Sequence, residues 1–140
     1  MEMKILNLKK WIENEYEGTI TLYVEGKEIA CRMIANDDTW KNLEVGQNVK
    51  GNIHFLRYGE VSKTEADQYS IEPSGGIQYE LTGTVHTIQG EILSIKGLPW
   101  LNIDLDFNDK IDPFWIKPGA GIKIYGQFEF DIWVGNFYRG

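Results

Sequence analysis

The chain has 140 residues, with 14 Lys and Arg, 21 Asp and Glu, and one cysteine, a length that fits one domain or two very small ones. Its net charge of −7 is negative in both halves, which disfavours nucleic acid and anionic membranes because their phosphates require Lys and Arg. No apolar segment approaches the roughly 20 residues that span a bilayer, and the first residues lack the apolar stretch of a signal peptide. A single cysteine cannot form an internal disulfide, so we expect a cytoplasmic protein.

The first half of the chain predicts a short N-terminal element followed by antiparallel strands. Residues 3–12 have apolar residues at a helical spacing, although a short strand also fits them. From Tyr16 the apolar period changes to two, and Glu25-Gly26 marks the turn of a hairpin. A third strand is expected over 49–56, with its apolar residues on one face.

A long polar segment separates the two halves. Residues 59–78 are mostly polar and include the turn sequence Pro73-Ser74-Gly75-Gly76. We therefore interpret 59–78 as a linker or long loop between an N-terminal β-unit, 1–58, and a C-terminal β-unit, 79–140.

The second half predicts a second set of strands. Alternation begins at Tyr79 and returns over 91–96, and the run 101–107 has the clearest period of two in the chain. In that run Ile103, Leu105 and Phe107 share the face expected to be buried. A long alternating run over 121–132 contains Gly126, which indicates a bend or bulge, as in a closing barrel.

The two halves also echo each other. Tyr16-Glu17-Gly18-Thr19 has a counterpart near Tyr79 and Gly83, and Gly46 and Gly119 each stand shortly before a long strand. The echo predicts an internal duplication in which 16–56 and 79–130 have the same strand order.

The order of turns and strands over about 78–134 resembles that of small five-stranded oligonucleotide/oligosaccharide-binding (OB) barrels. The resemblance is one of pattern, without a specific motif. We therefore predict an all-β fold of two related small units, either OB-like β-barrels or half-sandwiches, packed together.

An acidic cluster follows the clearest strand. Asp104, Asp106 and Asn108 match the first three side-chain ligands of a helix-loop-helix calcium loop, but the required glycine and final glutamate are absent. The favoured interpretation is a solvated strand face, with a calcium site or a carboxylate-dependent enzyme centred on Asp104 and Asp106 as the alternative. No catalytic residue, metal site or cofactor is predicted.

Four loop aromatics are the candidate ligand- or partner-binding residues. They are Trp40, Trp100, Phe114 and Trp115. Aromatic side chains in loops serve as stacking surfaces or interface anchors, and they also close the ends of small β-structures.

The sequence favours a non-catalytic binding module whose partner is another protein. A basic partner would suit the acidic chain, as in an immunity or antitoxin role. The alternative is an OB-like barrel that binds an oligosaccharide or a single nucleic-acid strand.

Overall fold

The structure, a computed structural model, describes residues 2–11, 16–65, 67–105 and 115–133. Within these ranges it consists of nine strands and one short helix, which confirms the all-β prediction. The elements are β1 (Glu2–Lys10), β2 (Glu17–Val24), β3 (Lys27–Ile34), α1 (Asp37–Lys41), β4 (Asn48–Lys63), β5 (Ser70–Gly75), β6 (Gln78–Gln89), β7 (Ile92–Ile95), β8 (Leu101–Asp104) and β9 (Gly121–Ile132). The N-terminal segment, for which helix and strand were both open, is the strand β1.

All nine strands belong to one hydrogen-bonded sheet in the order β1-β2-β3-β9-β4-β8-β7-β6-β5, with further pairings of β1 to β4 and of β9 to β6. By its contacts the chain divides into two compact units. Unit 1 comprises Met1–Ile53 with Phe128–Gly140, and unit 2 comprises His54–Gln127. These boundaries differ from the predicted ones, because β4 and β9 each belong partly to one unit and partly to the other.

The segment expected to be a linker contains regular structure. β4 continues to Lys63, and β5 occupies Ser70–Gly75 and pairs with β6. A polar sequence is compatible with these strands because an antiparallel strand that faces solvent needs few apolar residues.

In unit 1 the strand pairings return to their starting strand. β1 pairs with β2, and β2 pairs with β3, both antiparallel. β3 pairs in parallel with the end of β9, at Cys31 with Phe128 and Arg32 with Glu129. β9 lies next to β4, and β4 pairs with β1 through Met3 and Val49.

In unit 2 the pairings form a similar cycle. β6 pairs with β7 and β7 with β8, both antiparallel. β8 lies beside β4, and β4 beside β9. The first half of β9 pairs with β6, from Gly121 opposite Thr84 to Gln127 opposite Gln78. In unit 2, the part of β4 after Ile53 therefore occupies the place that the end of β9 occupies in unit 1.

Matching hydrogen bonds align the first strands of the two units. In unit 1 the Gly46 N–H donates to the Ile5 carbonyl at 2.7 Å, and the Ile5 N–H donates to the Gln47 carbonyl at 2.9 Å. In unit 2 the Gly119 N–H donates to the Val85 carbonyl at 2.9 Å, while the Val85 N–H donates to the next carbonyl, that of Ala120, at 2.8 Å. This pattern makes Ile5 the counterpart of Val85, and β1 the counterpart of β6.

Two further details support this alignment. Gly46 and Gly119 both have φ of 93°, a value that favours glycine. The pairing of β1 shifts between Ile5 and Asn7, and that of β6 shifts between Val85 and Thr87. Each unit thus has an irregularity directly after the matched residue.

The echo in the sequence aligns different residues from those that share this hydrogen-bond pattern. Tyr16 lies just before β2, whereas Tyr79 lies in β6. Gly46 and Gly119, which the echo also aligned, do occupy corresponding places in the hydrogen-bond pattern.

Each unit has its own apolar interior, as strand alternation predicts. In unit 1 the most buried side chains include Ile5, Ile20, Leu22, Ile29, Cys31, Met33, Ile53 and Phe128. In unit 2 they include Phe55, Leu81, Leu93, Ile95, Ile103, Leu105 and Ile124. The expected burial of Ile103 and Leu105 is confirmed, while Phe107 lies outside the described residues.

Two glycines allow β4 and β9 to approach closely. A Cβ at Gly51 would collide with the carbonyl oxygen of Asp131 and would lie 2.6 Å from a carbon of the Phe130 ring. A Cβ at Gly126 would collide with the carbonyl oxygen of Leu56 and would lie 2.8 Å from a carbon of the Phe55 ring. Backbone oxygens cannot move away as a flexible side chain can, so both positions require glycine.

We expect Gly51→Ala and Gly126→Ala each to lower the free energy of unfolding by about 1–3 kcal/mol, the usual effect of inserting an extra carbon into a packed interior. Denaturant titration monitored by circular dichroism measures the loss. Asn52→Ala, at an exposed position beside Gly51, is the control and should stay within about 0.5 kcal/mol of the parent. Equal stability of the glycine variants and the control would contradict the close approach.

Candidate functional site

A groove on the outer face of β6, β7 and β8 is the candidate functional site. Its volume is about 400 Å³, within the range of roughly 300–1,000 Å³ found for ligand pockets. The lining residues are Thr87, Gln89, Ile92, Leu93, Ser94 and Asn102.

Strand alternation and the irregularity in β6 place these side chains together. After the shift at Val85, Thr87 lies opposite Ser94, and Gln89 lies opposite Ile92. The hydroxyls of Thr87 and Ser94 are 2.6 Å apart and share a hydrogen bond. Because cross-strand neighbours share a face, these four residues form one outward surface, and the buried Leu93 lies beneath it.

The third strand completes this surface. Ile92 lies opposite Asp104, and Leu93 lies opposite Ile103. Continuing this register places Asn102 beside Ser94. We call the six outward residues the β6–β8 grid: one row is Thr87, Ser94 and Asn102, and the other is Gln89, Ile92 and Asp104.

The groove lining carries no charged group and combines polar with apolar surface. Two hydroxyls and two carboxamides line it, and each of these groups can donate and accept hydrogen bonds. Ile92 is 43% exposed and contributes an apolar surface. No lysine or arginine is among the lining residues, and the partly buried Asp104 at the end of its row adds a carboxylate.

The equivalent surface of unit 1 has a different charge. Its rows are Asn7, Thr21 and Ala30, and Lys9, Thr19 and Arg32. Lys9 and Arg32 thus occupy the places of Gln89 and Asp104.

Arg32 is held between two carboxylates. Its guanidinium donates to Glu17 and to Glu129, each at 2.7 Å. The hydrogen bond to Glu17 is the main cause of the raised pKa of Arg32, followed by the contribution of Glu129, while partial burial acts in the opposite direction. These ion pairs tie β3 to both of its neighbouring strands.

Trp40 lies in the interior rather than on a ligand surface. Its side chain is 8% exposed, and its indole Nε1 donates to the Tyr16 carbonyl at 3.0 Å. A Cβ at Gly18 would lie 2.6 Å from the Trp40 ring, so the indole packs directly on that glycine. Asn36 caps the helix that carries Trp40, because its side chain accepts from the Thr39 N–H.

The other predicted aromatics have different environments. Trp100 is partly buried in the turn before β8, two residues from Asn102, but it is not among the groove-lining residues. Lys63 Nζ lies 5.3 Å from the centroid of a Trp115 ring, a cation–π distance that covers part of this indole. Phe114 lies outside the described residues.

The acidic cluster is described only in part. Asp104 belongs to β8, whereas Asp106 and Asn108 lie outside the described residues. Among the residues that the structure describes, no group of three or more His, Cys, Asp and Glu side chains is placed to hold a metal ion.

Sequence reasoning did not identify the groove residues. Thr87, Gln89, Ser94 and Asn102 are ordinary residues of solvent-facing strands, and no motif distinguishes them. A usable signal was the even spacing of neutral polar residues in consecutive strands, but its significance depends on the pairing register.

Comparison with known proteins adds no functional information. The chain matches no protein-family model, and no significant match was found among curated proteins or solved structures. None of the helices within the described ranges has the length and apolar character needed to cross a membrane.

Cys31 provides a test of the interior of unit 1. Its side chain is fully buried, and this burial raises the pKa of the thiol well above its ordinary range. We expect no reaction with a thiol reagent at pH 8 in the native state and full reaction after unfolding in guanidinium, measured by absorbance.

The same group predicts a pH dependence. In the unfolded chain the Cys31 thiol ionises near pH 8.5, whereas in the folded chain it remains protonated. The contribution of the thiol to stability is therefore complete below about pH 8.5 and decreases as the pH rises above it. Rapid labelling of Cys31 in the native protein at pH 8 would contradict the burial of its side chain.

Proposed function

We propose that the chain is a non-catalytic binding module made of two OB-like barrels that arose by internal duplication, and that the β6–β8 grid is its ligand-binding surface. The cyclic pairings of five strand segments in each unit support the barrel interpretation. In unit 1 the distant strand β9 lies between β3 and β4, and in unit 2 the distant strand β4 lies between β8 and β9. This order corresponds to the Greek-key arrangement of small OB barrels.

The matched turns support the duplication. Two equivalent hydrogen bonds join Gly46-Gln47 to Ile5 and Gly119-Ala120 to Val85, and a shift in register follows each strand residue. In addition, Gly51 and Gly126 are each followed four residues later by a buried phenylalanine. Under this alignment each repeat supplies four strands to one barrel and a fifth strand to the other.

The position of the groove carries the functional proposal. OB barrels bind their ligands on the face of the second and third strands, and in unit 2 these strands are β7 and β8. The groove lies on this face and extends onto β6. The same surface therefore combines a suitable shape with the topological position expected for a binding site.

The acidic-partner hypothesis has less support from the geometry. Several carboxylates are already neutralised by nearby cations: Asp37 by Lys10 and Lys41, Glu17 and Glu129 by Arg32, and Glu80 by Lys123. The pKa of Asp37 is lowered chiefly by its hydrogen bond to Lys10. This pairing leaves the net charge of −7 unchanged, but it sets a cation beside each of these carboxylates, so they do not form a continuous acidic surface.

A Thr87→Trp variant tests whether the groove is the binding site. We expect the wild-type chain to bind members of an array of oligosaccharides, single-stranded oligonucleotides and peptides, and the variant to lose that binding because an indole fills the groove. The control is Asn7→Trp, the same substitution at the equivalent exposed position of unit 1, and it should retain binding.

Thermal unfolding establishes that both variants are folded. Binding that persists in Thr87→Trp, or that is lost only in Asn7→Trp, would place the site elsewhere and overturn the proposal. The absence of any bound compound in the array would count against it equally.

A further inference from the structure

The geometry points to a neutral oligosaccharide as the ligand of the β6–β8 grid, an inference that rests on the proposed function of this groove. Thr87, Ser94, Gln89 and Asn102 provide hydroxyls and carboxamides side by side. These groups match the hydroxyls of a sugar, which also donate and accept within the same group.

The apolar component of the groove fits the same ligand. Ile92 stands between Gln89 and Asp104, and 43% of it is exposed. A pyranose ring has a face of C–H groups edged by hydroxyls. The isoleucine can therefore contact the C–H face while the polar residues around it bind the hydroxyls.

Charge excludes the nucleic-acid alternative for this surface. Binding a phosphodiester chain depends on Lys and Arg, and the groove lining contains neither. Asp104 adds a negative charge beside Ile92, which repels phosphate. The unit 1 surface, with Lys9 and Arg32, lacks this selectivity.

Shape disfavours an extended peptide. Peptides that add to a sheet bind along an open strand edge through backbone hydrogen bonds. The groove instead lies on the face of three strands that are paired with one another. Recognition at this surface must therefore come from protein side chains. Such recognition suits an oligosaccharide, whose hydroxyl groups project from its rings.

The experiment is a titration of the full ¹⁵N-labelled chain, followed by two-dimensional NMR. The probes are neutral tetrasaccharides of glucose and of N-acetylglucosamine, a tetragalacturonate, a twelve-residue oligothymidylate and a lysine-rich peptide. We expect the neutral sugars of at least one type to shift the amide signals of 87–94 and 101–104, with an affinity that is insensitive to salt.

A substituted surface tests the role of the individual groups. The double variant Gln89→Lys/Ile92→Thr introduces the residue types that unit 1 has at Lys9 and Thr19. Both positions are exposed, so the fold should remain intact, and we expect at least a tenfold loss of neutral-sugar affinity. The control Lys9→Gln, in unit 1, should leave the affinity unchanged.

The outcomes separate the two proposals. If only the oligothymidylate, the tetragalacturonate or the peptide shifts the groove signals, the sugar inference is wrong while the groove remains a binding site. If no probe shifts these signals, both proposals are overturned. Neutral-sugar binding that survives the double variant would also refute the assigned roles of Gln89 and Ile92.

Discussion

The close approach of β4 and β9 is the constraint on which the fold depends. Each of these strands contributes to both units, so each must fit two different sets of neighbours along its length. In unit 1 the backbone of Gly51 faces the Asp131 carbonyl and the Phe130 ring, and in unit 2 Gly126 faces the Leu56 carbonyl and the Phe55 ring. The lack of a side chain at one strand provides the space for an aromatic ring from the other.

This arrangement has a consequence for cooperativity. A unit that receives its fifth strand from a distant part of the chain cannot complete its pairing until that part has been placed. Contacts that join residues far apart in sequence must offset a larger loss of chain entropy before they form. The exchange of strands therefore links the completion of one unit to the placement of segments that also belong to the other.

Local patterns in the sequence were sufficient to predict the strands but not the way in which the strands pair. The alternation around Leu105 correctly identified its buried face. The segment 59–63 was interpreted as linker because its polar residues resemble a loop, although they continue β4. No local period indicates that a strand will pair with partners in two units, since this property depends on long-range register.

The echo in the sequence and the matching hydrogen bonds align different residues for a related reason. Leu6 and His86 lie at the shifts in β1 and β6, and such irregularities interrupt the period of two on which sequence alignment of strands relies. The short helix was also missed, because Asn36-Asp37-Asp38-Thr39 is typical both of a turn and of a capped helix start. Prediction of the groove would have required the correct register of β6, β7 and β8, which composition does not provide.

The difference in charge between the β6–β8 grid and the equivalent surface of unit 1 accompanies a difference in the connection between the first two strands of each unit. Counting back along the β2 and β7 registers, the position of Glu17 corresponds to Gly90, which lies in the short turn between β6 and β7. The alignment of Phe130 with Phe55 likewise equates Glu129 with His54. An arginine at position 104 would thus lack both carboxylates that hold Arg32 in unit 1.

The acidic residue at position 104 is consistent with this change. Where unit 1 has Arg32 and Glu129, unit 2 has Asp104 and His54 at the corresponding positions. The row of Gln89, Ile92 and Asp104 therefore has no cation in the place of Arg32, and the neighbouring hydroxyls and carboxamides are not next to a positive charge. An ion-paired surface in unit 1 thus corresponds in unit 2 to a surface on which Asp104 is the one charged member of the six-residue grid.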